Sequence, residues 1–239
     1  MSNPLVSFVI PTHNNAEFLH PAIESCLIQT HKDIEVVVVD DSSTDSTPDY
    51  VAWAKKQDWA DKVKFIRNEK NLGRSASRNI GNKAATGDII AVLDADDINS
   101  PDRAALTVAK FKAGSVFVHG AAHLMDAVGR GGGMVPTDVF NKAKAVETLS
   151  AGIVHSTVAY SNLYIAKRYA YMDGEPARLG VDDFTLFMLM AFDGVKFDYI
   201  PNPLCAYRVN ELGITAQRDN AEVVAFKKGF VESFAKVSV

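Results

Sequence analysis

The chain has 239 residues, 47% of them hydrophobic and 23% charged, and its 25 Lys and Arg against 29 Asp and Glu give a formal charge of −4. That length buries one large core without a disulfide or metal staple, and a mildly acidic chain lacks the basic footprint that non-specific nucleic-acid binding needs. Two cysteines, Cys26 and Cys205, make no secreted disulfide framework and read as small buried hydrophobes of a reducing cytoplasm. The opening Met1-Ser2-Asn3-Pro4-Leu5 has neither the basic nor the apolar stretch of a signal peptide, and the longest apolar run, Leu186 to Phe192, falls far short of the roughly 20 residues of a membrane span. The expectation is a cytoplasmic protein with no transmembrane segment, touching the inner face of a membrane at most peripherally.

Val6 to Ile10 is a short apolar run stopped by Pro11, which suits a buried strand. Asn14 and Glu17 stand three apart like a capping box and open a helix whose apolar face is Phe18, Leu19, Ala22, Ile23, Cys26 and Leu27. Ile34 to Val39 is β-branched on both faces, as in a parallel strand covered on both sides, and runs into Asp40-Asp41-Ser42-Ser43. Ser46-Thr47-Pro48 starts the next helix. Val63 to Ile66 is a third strand, Ser75 to Ala85 a helix closed by Gly87, and Ile89 to Leu93 a fourth strand ending in Asp94-Ala95-Asp96-Asp97. Pro101 opens another helix and Ser115 to His119 is a further strand. The alternation predicts a mostly parallel sheet over the first 120 residues or so. Further on, Gly129 to Gly133 reads as a flexible loop and a plausible lid, with a helix at 142–150, strands near 153–166, a helix at 181–192, strands at 195–200 and 204–209, and a helical tail from Ala221 to Val237. No linker divides the chain, so the second half is expected on the same sheet.

Open parallel sheets bind ligands beyond the carboxyl ends of their strands. Three polar segments arrive there: Pro11-Thr12-His13-Asn14, Asp40-Asp41-Ser42-Ser43 and Asp94-Ala95-Asp96-Asp97. In an extended strand end Asp94 and Asp96 face the same side, where two carboxylates repel unless a cation lies near. Oxygen ligands favour magnesium or manganese, held by one or two carboxylates and the phosphates of a substrate. A carboxylate after the second strand can accept from a ribose or a base N–H, or simply cap a helix. Neither a dinucleotide-binding glycine turn nor a Walker loop is present, so a bound diphosphate needs a metal on Asp94 and Asp96, helped by Arg74 or Arg78.

These residues resemble family 2 glycosyltransferases. The resemblance runs through Ser7 to Asn14, Ser25 to Thr30, Glu35 to Asp45, Asn71-Leu72-Gly73, Ala76 to Gly81, Ala85 to Asp88, and Leu93 to Asp97 with Pro101. It implies a GT-A fold, a single Rossmann-like, mostly parallel mixed sheet flanked by helices. One domain would then span 1–239, with 1–105 holding a nucleotide-sugar and the less regular 106–239 facing the acceptor. It implies transfer of a sugar from a nucleotide-diphosphate sugar, UDP-linked above all, to a carbohydrate or lipid-linked acceptor, usually with inversion and with manganese or magnesium. Pro11 and His13 would lie against base and ribose, Asp41 would accept from the base, Asp94 would touch the ribose, Ala95 between the two acids would also contact the nucleotide-sugar, and Asp96 would coordinate the metal. Arg74 or Arg78 would approach the phosphates.

In the second half, Gly180-Val181-Asp182-Asp183-Phe184 fits the family's acidic pair, with Asp183 as general base. Asp182 replaces the usual Glu, Phe187 stands where Trp is common, and the family's Tyr-Arg-x-His appears as Tyr207-Arg208-Val209-Asn210. These departures keep a non-catalytic sugar-nucleotide-binding protein open as an alternative. A nucleotidyltransferase of similar fold is the other, although its glycine-rich activation loop is missing. His155 reads either as a contact to acceptor or phosphate or as a structural histidine, and Trp53 and Trp59 as packing residues. Lys227, Lys228 and Lys236 among Phe226, Phe230 and Phe234 read as an ordinary packing helix rather than a membrane anchor.

Overall fold

The computed structural model describes residues 3–135, 137–209 and 221–235. Four parallel strands, β1 (Val6–Thr12), β2 (Ile34–Asp40), β3 (Val63–Arg67) and β4 (Ile89–Val92), stand in the order β3-β2-β1-β4. The helices between them are α1 (Ala16–Leu27), α2 (Thr47–Ala54) and α3 (Arg74–Ala84). Alternate residues of β1 feed opposite cores: Val6, Phe8 and Ile10 pack with Leu19, Ile23 and Cys26 of α1, while Val9 joins Val37, Val39 and Val92 on the other face. Gly81 of α3 lies so close to Val9 that an added Cβ would overlap its side chain, which lets the helix settle directly on the sheet.

The strand does not stop at Pro11. The carbonyls of Val9 and Thr12 accept from Leu93 and Asp41 respectively, so odd residues of β1 face β4 and even ones β2. The missing N–H of Pro11 therefore points where β4 has already ended, and costs no ladder bond. The expected capping box is absent as well. Asn14 is left-handed (φ 55°) and its side-chain carbonyl accepts from the Thr44 and Asp45 amides. Asp45 instead caps both helices, accepting from Ala16 N (3.0 Å) and Thr47 N (3.0 Å).

The rest of the sheet is mixed. Beyond β4 come β8 (Ala159–Ser161), β6 (Phe117–Met125), β9 (Asp198–Arg208) and β5 (Ile98–Asn99), with β7 (Gly131–Val135) paired to β6. β8 is antiparallel to both β4 and β6, whereas β9 runs parallel to β6 with two register shifts near Gly120 and Ala121. One bulged strand thus replaces the two expected at 195–200 and 204–209. The helices are α4 (Arg103–Lys112), α5 (Lys142–Thr148), the single turn α6 (Glu175–Arg178), α7 (Asp182–Phe192) and α8 (Ala221–Ala235). α7 is buried between the sheet, through Leu186, Phe187 and Met190, and α8, whose Val223 and Val231 share a cluster with Phe184 and Met188.

Two further expectations change. The 129–133 stretch is no loose loop: Gly131–Val135 is a strand, and Asp126 staples the turn before it by accepting from Val128 N, Arg130 N and Arg130 Nε. The 153–166 stretch holds only three strand residues, flanked by a 3-10 turn at His155–Thr157 and a π turn at Asn162–Ala166. Its β-branched residues bond locally instead, as Thr157 Oγ1 donates to Val154 O at 2.7 Å. Asn210, Lys236 and Val237 lie outside the described residues. Among the described residues no helix is long and apolar enough to cross a membrane.

Candidate active site

Thr12 pairs with Asp40 and Val9 with Val92, so β1, β2 and β4 end at the same edge of the sheet. With neighbouring strands about 4.8 Å apart, the ends of β2 and β4 are roughly 10 Å from each other. His13, at the end of β1, donates from Nδ1 to the carbonyl of Asp41 (2.8 Å), and its Nε2 accepts from the Asn71 amide (3.2 Å). Asp41 is only 3% exposed. Its carboxylate accepts from Asn68 Nδ2 (2.7 Å), Leu72 N (2.8 Å) and Gly73 N (2.8 Å). The group expected to face a base is thus turned onto the 68–73 segment, where it holds the start of α3. Asp40 is likewise a turn residue, bonded to Ser43 N and paired with Arg67.

At the end of β4 the Asp94–Asp97 segment is not extended, because Asp97 N donates back to Asp94 O (3.1 Å) and closes a turn. The i, i+2 argument for a shared side therefore fails, yet the two acids remain within electrostatic range of each other. Ala95, between them, is buried. Burial, then the charge of Asp94, pushes Asp96 up to about 6. For Asp94, burial opposes the charge, but the Arg78 guanidinium overcomes it and holds the carboxyl far below the usual range. Arg208 steadies the turn: its backbone N donates to Asp97 Oδ1 (2.8 Å), its Nε to Asp96 O (2.9 Å) and its Nη1 to Asp126 O and Ala127 O.

An ion chain crosses to the second half. Arg78 Nη2 donates to Asp94 Oδ1 (2.7 Å) and its Nη1 to Asp182 Oδ2 (2.8 Å), while Arg74 Nε and Nη2 donate to Asp182 Oδ1 (2.9 and 2.5 Å). Both arginines converge on Asp182 at this point. Beside them is a cavity of about 360 Å³, lined among others by Arg74, Asp94, His155, Asp183, Phe187 and Lys227. Asp183 is half-buried on its wall, with Oδ1 accepting from Phe184 N (2.7 Å). His155 Nε2 meets Tyr171 OH at 2.8 Å, and its Nδ1 is 3.9 Å from Asp94. The sequence left His155 undecided; it lines the cavity. Tyr171, which bonds His155, escapes a reading of the sequence, since no local spacing marks it; Tyr207, noted in the sequence within the Tyr-Arg-x-His match, and Lys227, read there as part of a packing helix, both line the cavity. Pro11, His13, Asp41 and Asp96 are not in the cavity wall. His13 and Asp41 gather on the 68–73 segment ahead of α3, and Asp96 follows Asp94 in the turn.

Comparison with known proteins agrees with this architecture. Residues 7–145 match the model of glycosyl transferase family 2. An uncharacterized glycosyltransferase of Nostoc sp. is 40% identical over 123 residues, covering 52% of this chain and 37% of that protein. The succinoglycan biosynthesis protein ExoO of Rhizobium meliloti is 45% identical over 100 residues, 42% of this chain and 28% of its own length. The chain therefore spans well under half of either curated relative in its matched part. Among solved structures, S. aureus TarS (residues 1–349) in complex with UDP-GlcNAc superposes with TM-score 0.65 at 18% identity, over 97% of this chain and 71% of that one. The mannosyltransferase PcManGT of Pyrobaculum calidifontis, in complex with GDP-Man and Mn2+, superposes with TM-score 0.66 at 17% identity, over 100% of this chain and 76% of that one.

The fold is of the GT-A type, a largely parallel sheet flanked by helices. The chain belongs to glycosyl transferase family 2.

Proposed function

We propose that this chain transfers a sugar from a nucleoside-diphosphate sugar, UDP-linked for preference, to an acceptor hydroxyl, by a single displacement that inverts the anomeric carbon. The observation that carries the reading is the cavity itself. Arg74, Arg78 and Asp94 line it together with Asp183, so the arginine–carboxylate chain at the end of β4 and the carboxylate at the start of α7 share one space. ExoO is a succinoglycan biosynthesis protein, and polysaccharide or glycoconjugate synthesis is the setting proposed here.

Asp183 takes the acceptor proton as the oxygen attacks; its Oδ1 is held by the Phe184 amide, which leaves Oδ2 for the proton. Such general-base help is worth typically about 10²–10⁴-fold. Arg74, 26% exposed at its side chain, has room to turn a guanidinium edge toward phosphate, while Arg78 is buried and holds Asp94. His13 and Pro11 flank the nucleoside, and Asp41 shapes that wall by fixing Leu72 and Gly73 rather than by touching the base. No covalent intermediate is needed, so no nucleophilic Cys or Ser is assigned.

A divalent cation, manganese or magnesium, fits Asp96. The negative charge of Asp94 is matched by Arg78, whereas Asp96 is half-buried and raised to about 6 by burial and by Asp94, which is the state a nearby cation relieves. Among the described residues no three His, Cys, Asp or Glu converge on a metal. A site of one or two carboxylates completed by phosphate oxygens and water is the arrangement magnesium ordinarily takes. When bound, the ion supplies Lewis-acid stabilisation of the leaving diphosphate. The test is release of nucleoside diphosphate from a panel of UDP- and GDP-sugars, with and without manganese. Release from at least one donor supports the reading; donors that bind without release favour a sugar-nucleotide-binding protein.

A further inference from the structure

Asp182 and Asp183 open α7 side by side but face different surroundings. Successive helical residues point about 100° apart; both line the cavity, but Asp182 is 1% exposed and bonded to the arginines whereas Asp183 is half-buried and bonded to the Phe184 amide. The start of α7 lacks an ordinary cap: Val181 holds the N-cap position and no side chain accepts there. What holds the first turn is the carboxylate of Asp182, which receives three N–H bonds from Arg74 and Arg78. Arg78 in turn binds Asp94 at the end of β4 and lies 5.4 Å from the centre of the Tyr171 ring, whose hydroxyl meets His155. Two carboxylates and two guanidiniums therefore tie three elements, β4, α3 and α7, around one cavity.

A buried ion network is weak support for a fold, because desolvation of the charges offsets most of their attraction. Its geometric content is larger. Planar guanidinium forks fix direction as well as distance, and a residue adjacent to the anchored one inherits that direction. We propose that Asp182 is a positioning residue for the transfer step: through Arg74 and Arg78 it sets the orientation of the first turn of α7, and with it Asp183, relative to the donor end of the sheet. This rests on the reading of Asp183 as the base. A purely structural ion pair would change stability and leave turnover per folded molecule alone.

The experiment measures kcat and donor KM for Asp182→Asn and Asp182→Glu in the full chain, using whichever UDP- or GDP-sugar the unmodified protein consumes, with folded protein counted by nucleotide binding. Misplacement of a reacting group by about 1 Å can cost about 10²-fold, so Asp182→Asn is expected to lose about 10- to 100-fold in kcat with donor KM within about threefold. Asp182→Glu, which keeps the charge but shifts it by one methylene, should fall between the two. Turnover per folded Asp182→Asn molecule equal to that of the unmodified protein overturns the inference, as does a fall in donor affinity matching the fall in kcat. If Asp182→Asn does not fold, Asp182→Glu with unimpaired kcat overturns it instead. An unmodified protein that releases nucleoside diphosphate from no donor removes the functional reading and this inference with it; an active one beside an unimpaired variant removes only this inference.

Discussion

Over residues 6–99 the polar groups of the site hang from the carboxyl ends of three adjacent parallel strands, each followed by a turn and, for β1 and β2, a helix. Over residues 117–209 they come from a hairpin, a 3-10 turn, a helix start and a bulged strand. The first region is periodic, and each strand end is reached by following the chain. The second is assembled by contacts far apart in sequence, such as Asp94 N donating to Ser156 Oγ or Arg78 to Asp182, 104 residues away. The end of the sheet proposed to face the nucleotide is thus a property of a repeated βα unit, and the part of the cavity bearing Asp183 is a property of the finished fold.

The largest expected effect separates the two regions. Asp183→Asn should leave nucleotide binding intact and lower transfer by about 10²–10⁴-fold, read as product formation beside a nucleotide titration. Near-normal turnover would take the general base away from α7 and break the division drawn here.

A smaller effect sharpens the contrast in the strands. His119 of β6 is buried, tilted against Tyr199 at 5.2 Å, and neither ring nitrogen has a hydrogen-bond partner. Burial pushes it down to about 4. The unfolded chain binds a proton near 6.5, so the native state is undercut as pH falls from there and the loss is complete below about 4. The total is about 3 kcal/mol by the usual conversion of a shift into free energy. Denaturant melts of the unmodified protein and of His119→Leu, at pH 7.5 and pH 4.5, should show a shallower pH dependence in the variant. No difference in slope would mean that His119 titrates normally. The smallest effect belongs to the first region: Asp45→Ala removes the cap shared by α1 and α2 and should cost about 1 kcal/mol in a denaturant melt.

The same contrast explains what could be read from the residues alone. The β-branched runs Val36 to Val39 and Ile89 to Val92 had to be strands covered on both faces, and their acidic followers had to meet at one edge. Asp183 was singled out by the family resemblance, as the second of two acids ahead of an apolar helix, and it lines the cavity. What stayed hidden depends on neighbours distant in sequence. The burial of Asp41 is set by the 68–73 segment, the partnership of Arg74 and Arg78 by Asp182, and the strand character of Gly131–Val135 by β6 and the Asp126 staple. Triple glycine in isolation carries no preference for an extended ladder, and a β-branched run such as Ile153 to Val158 becomes a 3-10 turn once Thr157 bonds its own chain.

A divalent ion near Asp96, holding a nucleoside diphosphate at the end of β4, is the claim on which the proposed chemistry turns. Calorimetric titration of UDP, and in parallel GDP, into the unmodified protein and into Asp96→Ala, with and without manganese, tests it most directly. The prediction is that manganese tightens binding of at least one nucleotide by about tenfold or more in the unmodified protein and has little effect in the variant, since removing the Asp96 carboxylate deprives the ion of a charged oxygen ligand. Equal affinities with and without manganese in both proteins would contradict it.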